Sequence, residues 1–226
     1  MYILLPPSEG KSSRAGRGVL GADPGVNPDD TRAVLDHVNR LRPAERARFY
    51  GLKDAGKCAA AHALNTVCFE ASALPAIERY TGVVYDHIGY PTLRKKASAR
   101  KRVLIVSALF GLIPAGAPIP DYKLSMNPWL ARYWKPINSA RLANLASGEP
   151  VLDLLSQSYR KAVEHPNLIT VDFRVEGGKK AAGHFGKAIK GRFVRWILEN
   201  NVQSAADFVD FTEEGYRFDG SNFVQS

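Results

Sequence analysis

The sequence predicts an α/β fold: one compact domain built on a mixed sheet flanked by helices. Three observations carry that expectation. Short, nearly continuous apolar runs at residues 2–5, 103–106 and 151–155 have the length and character of strands buried on both faces. The longer stretches between them repeat apolar residues at helical spacing. A chain of 226 residues, 45% of them hydrophobic, can bury one sizeable core, and no repeat or linker divides it. Residues 1–226 are therefore expected to form a single domain.

The first strand, Tyr2-Ile3-Leu4-Leu5, breaks into Pro6-Pro7-Ser8-Glu9-Gly10-Lys11-Ser12. A strand ending in such a turn delivers a carboxylate, a lysine and two hydroxyls to the sheet edge where α/β proteins place their sites. Gly10-Lys11-Ser12 has the form of a P-loop tail, but the motif needs a glycine where Leu5 stands. The next residues, with Gly16, Gly18, Gly21, Pro24, Gly25 and Pro28, read as a long basic loop. Asp29 or Asp30 can then cap a helix marked by Val34, Val38 and Leu41. Pro43 ends it and opens a helical stretch running to about Ala73, interrupted at Gly51-Leu52-Lys53. Residues 44–73 thus faintly resemble a helix-hairpin-helix, in which a tight turn offers N–H groups to phosphate; an ordinary helix connection fits the same pattern.

Residues 75–80 read as a short helix, and Val83-Val84-Tyr85 as a second strand turning at residues 86–90. A run with six basic residues out of nine, 94–102, feeds the strand at 103–106. It is either a solvated helix end or a phosphate-contacting patch. Prolines and glycines across 111–120 stiffen a loop that presents Asp121, Tyr122 and Lys123. Leu130, Tyr133 and Trp134 mark an aromatic-bearing helix, with Trp134 expected in the core. After the strand at 151–155, Ser156 to Lys161 enter another helix, and 168–175 is strand-like. In the last helix, about 184–200, steps of 100° put Phe185, Ile189, Phe193, Trp196 and Ile197 on one face. Lys187 and Lys190 flank that face on one side, Arg192 and Arg195 on the other, which argues for a composite cleft over a single recognition stripe.

Composition narrows the partners. Thirty-one Lys and Arg against 22 Asp and Glu give a formal charge of +9, which points to nucleic acid or nucleotides, or else to a merely basic surface. No apolar stretch approaches a membrane span, and the 94–102 run lacks the apolar face of an interfacial helix. The first residues lack the order of a signal peptide, so a cytoplasmic location is expected. Cys58 and Cys68 have neither CxxC nor Cys/His spacing and read as buried reduced thiols; beside Cys58, Lys57 is the one activating neighbour. The five histidines show no paired ligand spacing, so no metal and no cofactor are expected.

Several segments, taken in order, resemble the YaaA peroxide-stress response family. They are residues 4–11, Val84-Tyr85, 107–112 with Pro114, 122–126, Tyr133-Trp134, Ser156 with Tyr159, Lys187, Lys190-Gly191, Arg195, Glu199-Asn200 and 211–219. The family's other branch begins with Ser-Pro-Ala-Lys; here the lysine persists and Glu9 is a branch-specific addition, which leaves its role open. The resemblance implies a compact mixed α/β fold, a positively charged cleft, binding to duplex and branched DNA, and a cytoplasmic role limiting peroxide damage, associated with lowered free iron. With no iron ligands in view, any control of iron would be indirect.

Two functions follow. In the first, the protein binds DNA by structure and not by sequence, because its charge is spread over several loops and no helix reads as a base-edge reader. Ser8, Lys11, Tyr122, Lys123, Ser156, Tyr159, Lys187, Lys190 and Arg195 are the candidate nucleic-acid or phosphate contacts. In the second, it is an enzyme on a nucleotide, nucleoside or base, for example in N-glycosidic cleavage. Glu9 or Asp121 would then act as acid/base or stabilise positive charge at a sugar carbon, with Lys11 and Lys123 holding phosphate.

Overall fold

The structure, a computed structural model, describes residues 1–21, 25–175, 179, 181 and 183–225. The expected Pro24 of the basic loop lies outside these residues. In chain order the elements are β1 (Tyr2–Leu5), α1 (Pro28–Arg40), α2 (Pro43–Tyr50), α3 (Ala55–Thr66), β2 (Leu74–Pro75), α4 (Ala76–Arg79), α5 (Val83–Ile88) and α6 (Lys96–Arg102). Then come β3 (Val103–Ser107), β4 (Gly111–Pro114), β5 (Pro118–Ile119), α7 (Pro128–Ala146), β6 (Val151–Asp153), α8 (Gln157–Arg160), β7 (Leu168–Thr170) and β8 (Phe173–Arg174). The chain closes with α9 (Gly183–Asn200), β9 (Tyr216–Phe218) and β10 (Phe223–Gln225).

The main sheet has the order β4-β3-β1-β6-β7. The three apolar runs are its central strands, and every residue of β3 and β6 is buried, as strands covered on both faces require. β1 runs parallel to β3, pairing Leu4 with Leu104, and parallel to β6, pairing Leu4 with Asp153. The β3–β4 pair is antiparallel, which makes the sheet mixed. From β1 the chain builds outward to β3 and β4, and then returns through α7 to β6 on the opposite side of β1. The order therefore reverses between β1 and β6, and a crevice opens beyond their carboxyl ends, where open α/β sheets hold their ligands. A smaller sheet, β8-β10-β9, stacks Phe173 on Phe223 and packs both against Phe193 of α9.

Four elements differ from their sequence expectation. Residues 83–85 form not a strand but the start of α5. Gly82 turns the chain in at φ +104° and Gly89 closes the helix at φ +60°, while Gly191 lets α9 approach closely enough to bury it. Packing here overrides the β preference of two valines. The helix α1 is capped not by an aspartate but by Asn27, whose side chain accepts the Asp29 N–H, with Pro28 in the first turn. The helical stretch expected to reach Ala73 ends at Thr66. The run 168–175 divides between two sheets as β7 and β8.

The element resembling a helix-hairpin-helix is α2, a left-handed turn at Gly51, and α3. Asp54 accepts the Lys57 N–H at 2.6 Å, so the chain's own carboxylate occupies the start of α3, as in an ordinary helix connection. Among the described residues no helix is long and apolar enough to cross a membrane.

Candidate functional site

Two adjoining cavities fill the crevice beyond β1 and β6. The larger, of about 460 Å³, is walled by Leu5, Pro6, Val83, Val84, Tyr85 and Leu154, with Ser156 from the β6 side and Lys187 and Lys190 from α9. The smaller, of about 260 Å³, adds Lys11, Lys123, Ser125, Met126 and Ser158. Pro7, Ser8, Glu9 and Tyr159 line both and form the partition between them.

The strand-ending loop that makes this partition is bolted to α4 and α5. Thr81 N–H donates to Gly10 O at 3.0 Å, Ser12 N–H to Arg79 O at 2.8 Å, and the Tyr85 hydroxyl to Pro6 O at 2.8 Å. Ser8 Oγ lies 2.9 Å from where a Cβ on Gly82 would stand, so glycine there serves both the turn and the site. The Arg79 side chain, 2% exposed, donates to the carbonyls of Ile119, Ser12, Arg14 and Ser72, and so joins the loop to β5 and to the segment before β2. Its burial depresses its pKa, partly countered by Asp121. A buried guanidinium spent on carbonyls is a device for positioning backbone.

Lys11 folds back over this frame. Its Nζ donates to Ser8 O at 3.2 Å and Glu9 O at 3.3 Å, and lies 4.3 Å from the centre of the Tyr122 ring. Burial lowers its pKa to about 8; Asp121 and Glu9 pull it back up, while Lys123 and Arg79 push it further down. Beneath it the Tyr122 hydroxyl shares hydrogen bonds with Tyr80 at 2.8 Å and with Ser107 Oγ at 2.9 Å. Ser107 in turn accepts the N–H groups of Leu109 and Phe110. Burial raises the pKa of all three tyrosines of this wall, Tyr80, Tyr85 and Tyr122, so they remain neutral phenols.

Tyr122, expected as a contact residue, is 1% exposed, lines neither cavity and forms the floor under Lys11. Asp121 accepts the Tyr122 N–H at 2.7 Å and lines neither cavity; its influence on the site runs through the charges of Lys11 and Arg79. Lys123 does reach the cavity. Its backbone is clamped to α3 by Asn65, which accepts its N–H at 2.8 Å and donates to its carbonyl at 3.0 Å. Lys123 Nζ stands 3.5 Å from Glu9 Oε1, whose side chain is 82% exposed, so this ion pair contributes little stability and leaves both groups available.

On the β6 side, buried Asp153 accepts from Arg160 Nε at 2.5 Å and from the Leu155 N–H, holding the turn that presents Ser156, Ser158 and Tyr159. Ser156 and Ser158 hydroxyls lie 3.4 Å apart, and Tyr159 Oη accepts the Met126 N–H at 3.4 Å. Burial raises the Tyr159 pKa.

The four basic residues of α9 diverge as their spacing predicts. Lys187 and Lys190 face the larger cavity, whereas Arg192 pairs with Glu214. Arg195 lines neither cavity. It donates to Ile88 O at 3.0 Å, Gly89 O at 3.1 Å and Thr92, pairs with Glu199, and so closes the end of α5. In the 94–102 run, Arg94 pairs with Glu199, Arg100 bonds the Tyr90 hydroxyl and Glu78, and Arg102 bonds Met1 O. The three arginines of that run are thus tied into the fold, and its lysines are exposed. Trp134 is buried and donates to Ala108 O at 2.9 Å.

Both cysteines are unpaired and buried, and burial pushes the Cys68 thiol up to about 11. Among the described residues no three His, Cys, Asp or Glu side chains gather where they would hold a metal ion. The site residues that sequence reasoning missed are Arg79, Tyr80 and Ser158, while Ser107 and Ser125 are present only as family matches. None carries a spacing signal of its own. Each joins the site through a tertiary contact.

A family model described as peroxide stress protein YaaA matches residues 1–222. The chain is 32% identical over 223 residues to a UPF0246 protein of Corynebacterium efficiens, covering 91% of this chain and 87% of that one. It is 34% identical over 219 residues to a UPF0246 protein of Streptomyces coelicolor, covering 88% and 83%. With a family model spanning nearly every residue and relatives matched along most of their length, the chain belongs to the YaaA peroxide stress protein family.

Proposed function

We propose that this protein binds DNA, duplex or branched, across the paired cavities, and thereby limits peroxide damage to it in the cytoplasm. The observation that carries the reading is convergence: Lys11, Lys123, Lys187 and Lys190, from three separate parts of the chain, line one crevice. Phosphates would lie against Lys123, Lys187 and Lys190, while the apolar wall of the larger cavity accepts an unstacked base. Such an arrangement selects DNA by shape and by unpaired nucleotides, without base-edge readout. Any effect on iron-dependent damage would be indirect, through the DNA. The test is fluorescence anisotropy with duplex and branched oligonucleotides across a salt series. Affinity should fall steeply with salt, and Lys187→Ala with Lys190→Ala should reduce the log–log slope by about 0.9 for each phosphate no longer neutralised. An affinity that stays flat with salt refutes the reading.

A second reading, an enzyme on a nucleotide, nucleoside or base, draws on one observation: Glu9 and Lys11 share a small cavity. Separate replacements divide the two. A DNA binder loses affinity with Lys11→Ala but not with Glu9→Gln, whereas an enzyme such as an N-glycosidase loses turnover with both.

A further inference from the structure

We propose that Lys11 forms a reversible imine with the aldehyde of an abasic deoxyribose in DNA. The inference rests on the DNA-binding reading above and assigns its smaller cavity a covalent role.

The geometry of Nζ supports it. A lysine placed only to hold phosphate would extend its three N–H donors into the cavity. Lys11 instead turns two of them onto the carbonyls of Ser8 and Glu9, and Tyr122 lies beneath. Among the described residues no carboxylate comes within ion-pair distance of it, and the exposed Glu9 carboxylate lies on the Lys123 side. Loss of the third proton therefore leaves both hydrogen bonds intact and a lone pair that no protein group consumes. The charged and titratable groups around Nζ are Asp121, Glu9, Lys123 and Arg79, with the neutral phenols of Tyr80, Tyr122 and Tyr159. Their balance, dominated by burial, leaves the amine titrating near 8. Relative to an ordinary lysine, the share of free amine at neutral pH is larger by roughly 300-fold.

The cavity fits the substrate. At about 260 Å³ it is smaller than sites that enclose whole cofactors or drugs, and it suits a sugar whose base is gone. Lys123 in the same cavity can take a flanking phosphate. The chemistry also suits a peroxide stress protein, because oxidation of DNA strips bases and leaves sugars whose hemiacetal ring opens reversibly to a C1′ aldehyde. In the proposed step the Nζ lone pair attacks C1′, and the proton shed by nitrogen passes through solvent to the former carbonyl oxygen. The carbinolamine then takes a second proton from solvent on that hydroxyl and expels it as water, the nitrogen lone pair forming the C=N bond of a protonated imine. Water reverses the sequence. No electrons are exchanged.

The experiment uses the full chain and an oligonucleotide carrying one abasic site. Cyanoborohydride, which reduces an imine to a stable amine, should trap a protein–DNA adduct, and mass spectrometry of the digested adduct should place it on Lys11. At neutral pH the adduct should form on Lys11 ahead of the chain's ordinary lysines. Lys11→Arg, which keeps the cation but not the nucleophilic amine, should lower the adduct yield per DNA bound at least tenfold. Mapping on the unsubstituted protein decides the matter even if that variant folds poorly. Binding without an adduct, or an adduct on another amine, overturns the inference and leaves DNA binding standing; no binding to any DNA overturns the reading beneath it.

Discussion

Replacing Gly191 with alanine should destabilise the protein and loosen its site, although alanine is the better helix former. Gly191 lies within α9, where it crosses α5, and a Cβ there would stand 2.4 Å from Val84 O and 2.6 Å from His87 Cβ. Ordinary contacts begin at about 3.5 Å, so α5 must retreat by roughly 1 Å. Two effects oppose each other. Alanine in a helix interior gains about 1 kcal/mol over glycine. Overpacking costs about 1–3 kcal/mol, and the upper end applies here because one of the blocking atoms belongs to the backbone. The clash wins by about 2 kcal/mol, equivalent to a drop in Tm of roughly 4–8 °C for a chain of this size. Because α5 carries the Val83, Val84 and Tyr85 wall and the Tyr85 bond to Pro6, DNA affinity should weaken in the same variant. Urea unfolding followed by tryptophan fluorescence measures the first effect and anisotropy the second. A variant as stable as the parent would refute the close α5–α9 crossing on which this account of the site wall depends.

Two further outcomes follow from the floor of the site. Tyr122→Phe keeps the ring under Lys11 but removes the hydroxyl that Tyr80 and Ser107 share, and should cost about 1–3 kcal/mol in urea unfolding; a change below about 0.5 kcal/mol would contradict the network. Lys11→Met tests the amine. The folded pKa, about 8, lies below the unfolded value of 10.5, so between these limits the unfolded chain binds more protons. The stability of the parent relative to Lys11→Met should therefore be flat below pH 8 and rise as pH climbs toward 10.5. A difference that is constant across this window would mean that Lys11 is solvated like any surface lysine.

What could be read from the chain alone is whatever depends on neighbours in sequence. Continuous apolar runs identified the central strands, because a strand covered on both faces has no polar side to show. The break after Leu5 marked the site edge, and helical spacing separated Lys187 and Lys190 from Arg192 and Arg195. Tertiary structure decided the rest, because it depends on which distant segments meet. Val83 and Val84 prefer strands in isolation, yet become helical where Gly191 admits them. Tyr122 and Arg195 have the chemistry of ligand contacts, yet one is buried under Lys11 and the other closes α5. Asp121 stands apart from the cavities that its stiffened loop was expected to serve. Lys11 itself was visible in the turn that ends the first strand, but its meaning was not. Only when residues 8–12, 79–81 and 121–123 come together does burial pull the Lys11 pKa down to about 8, and no spacing within the sequence encodes that encounter.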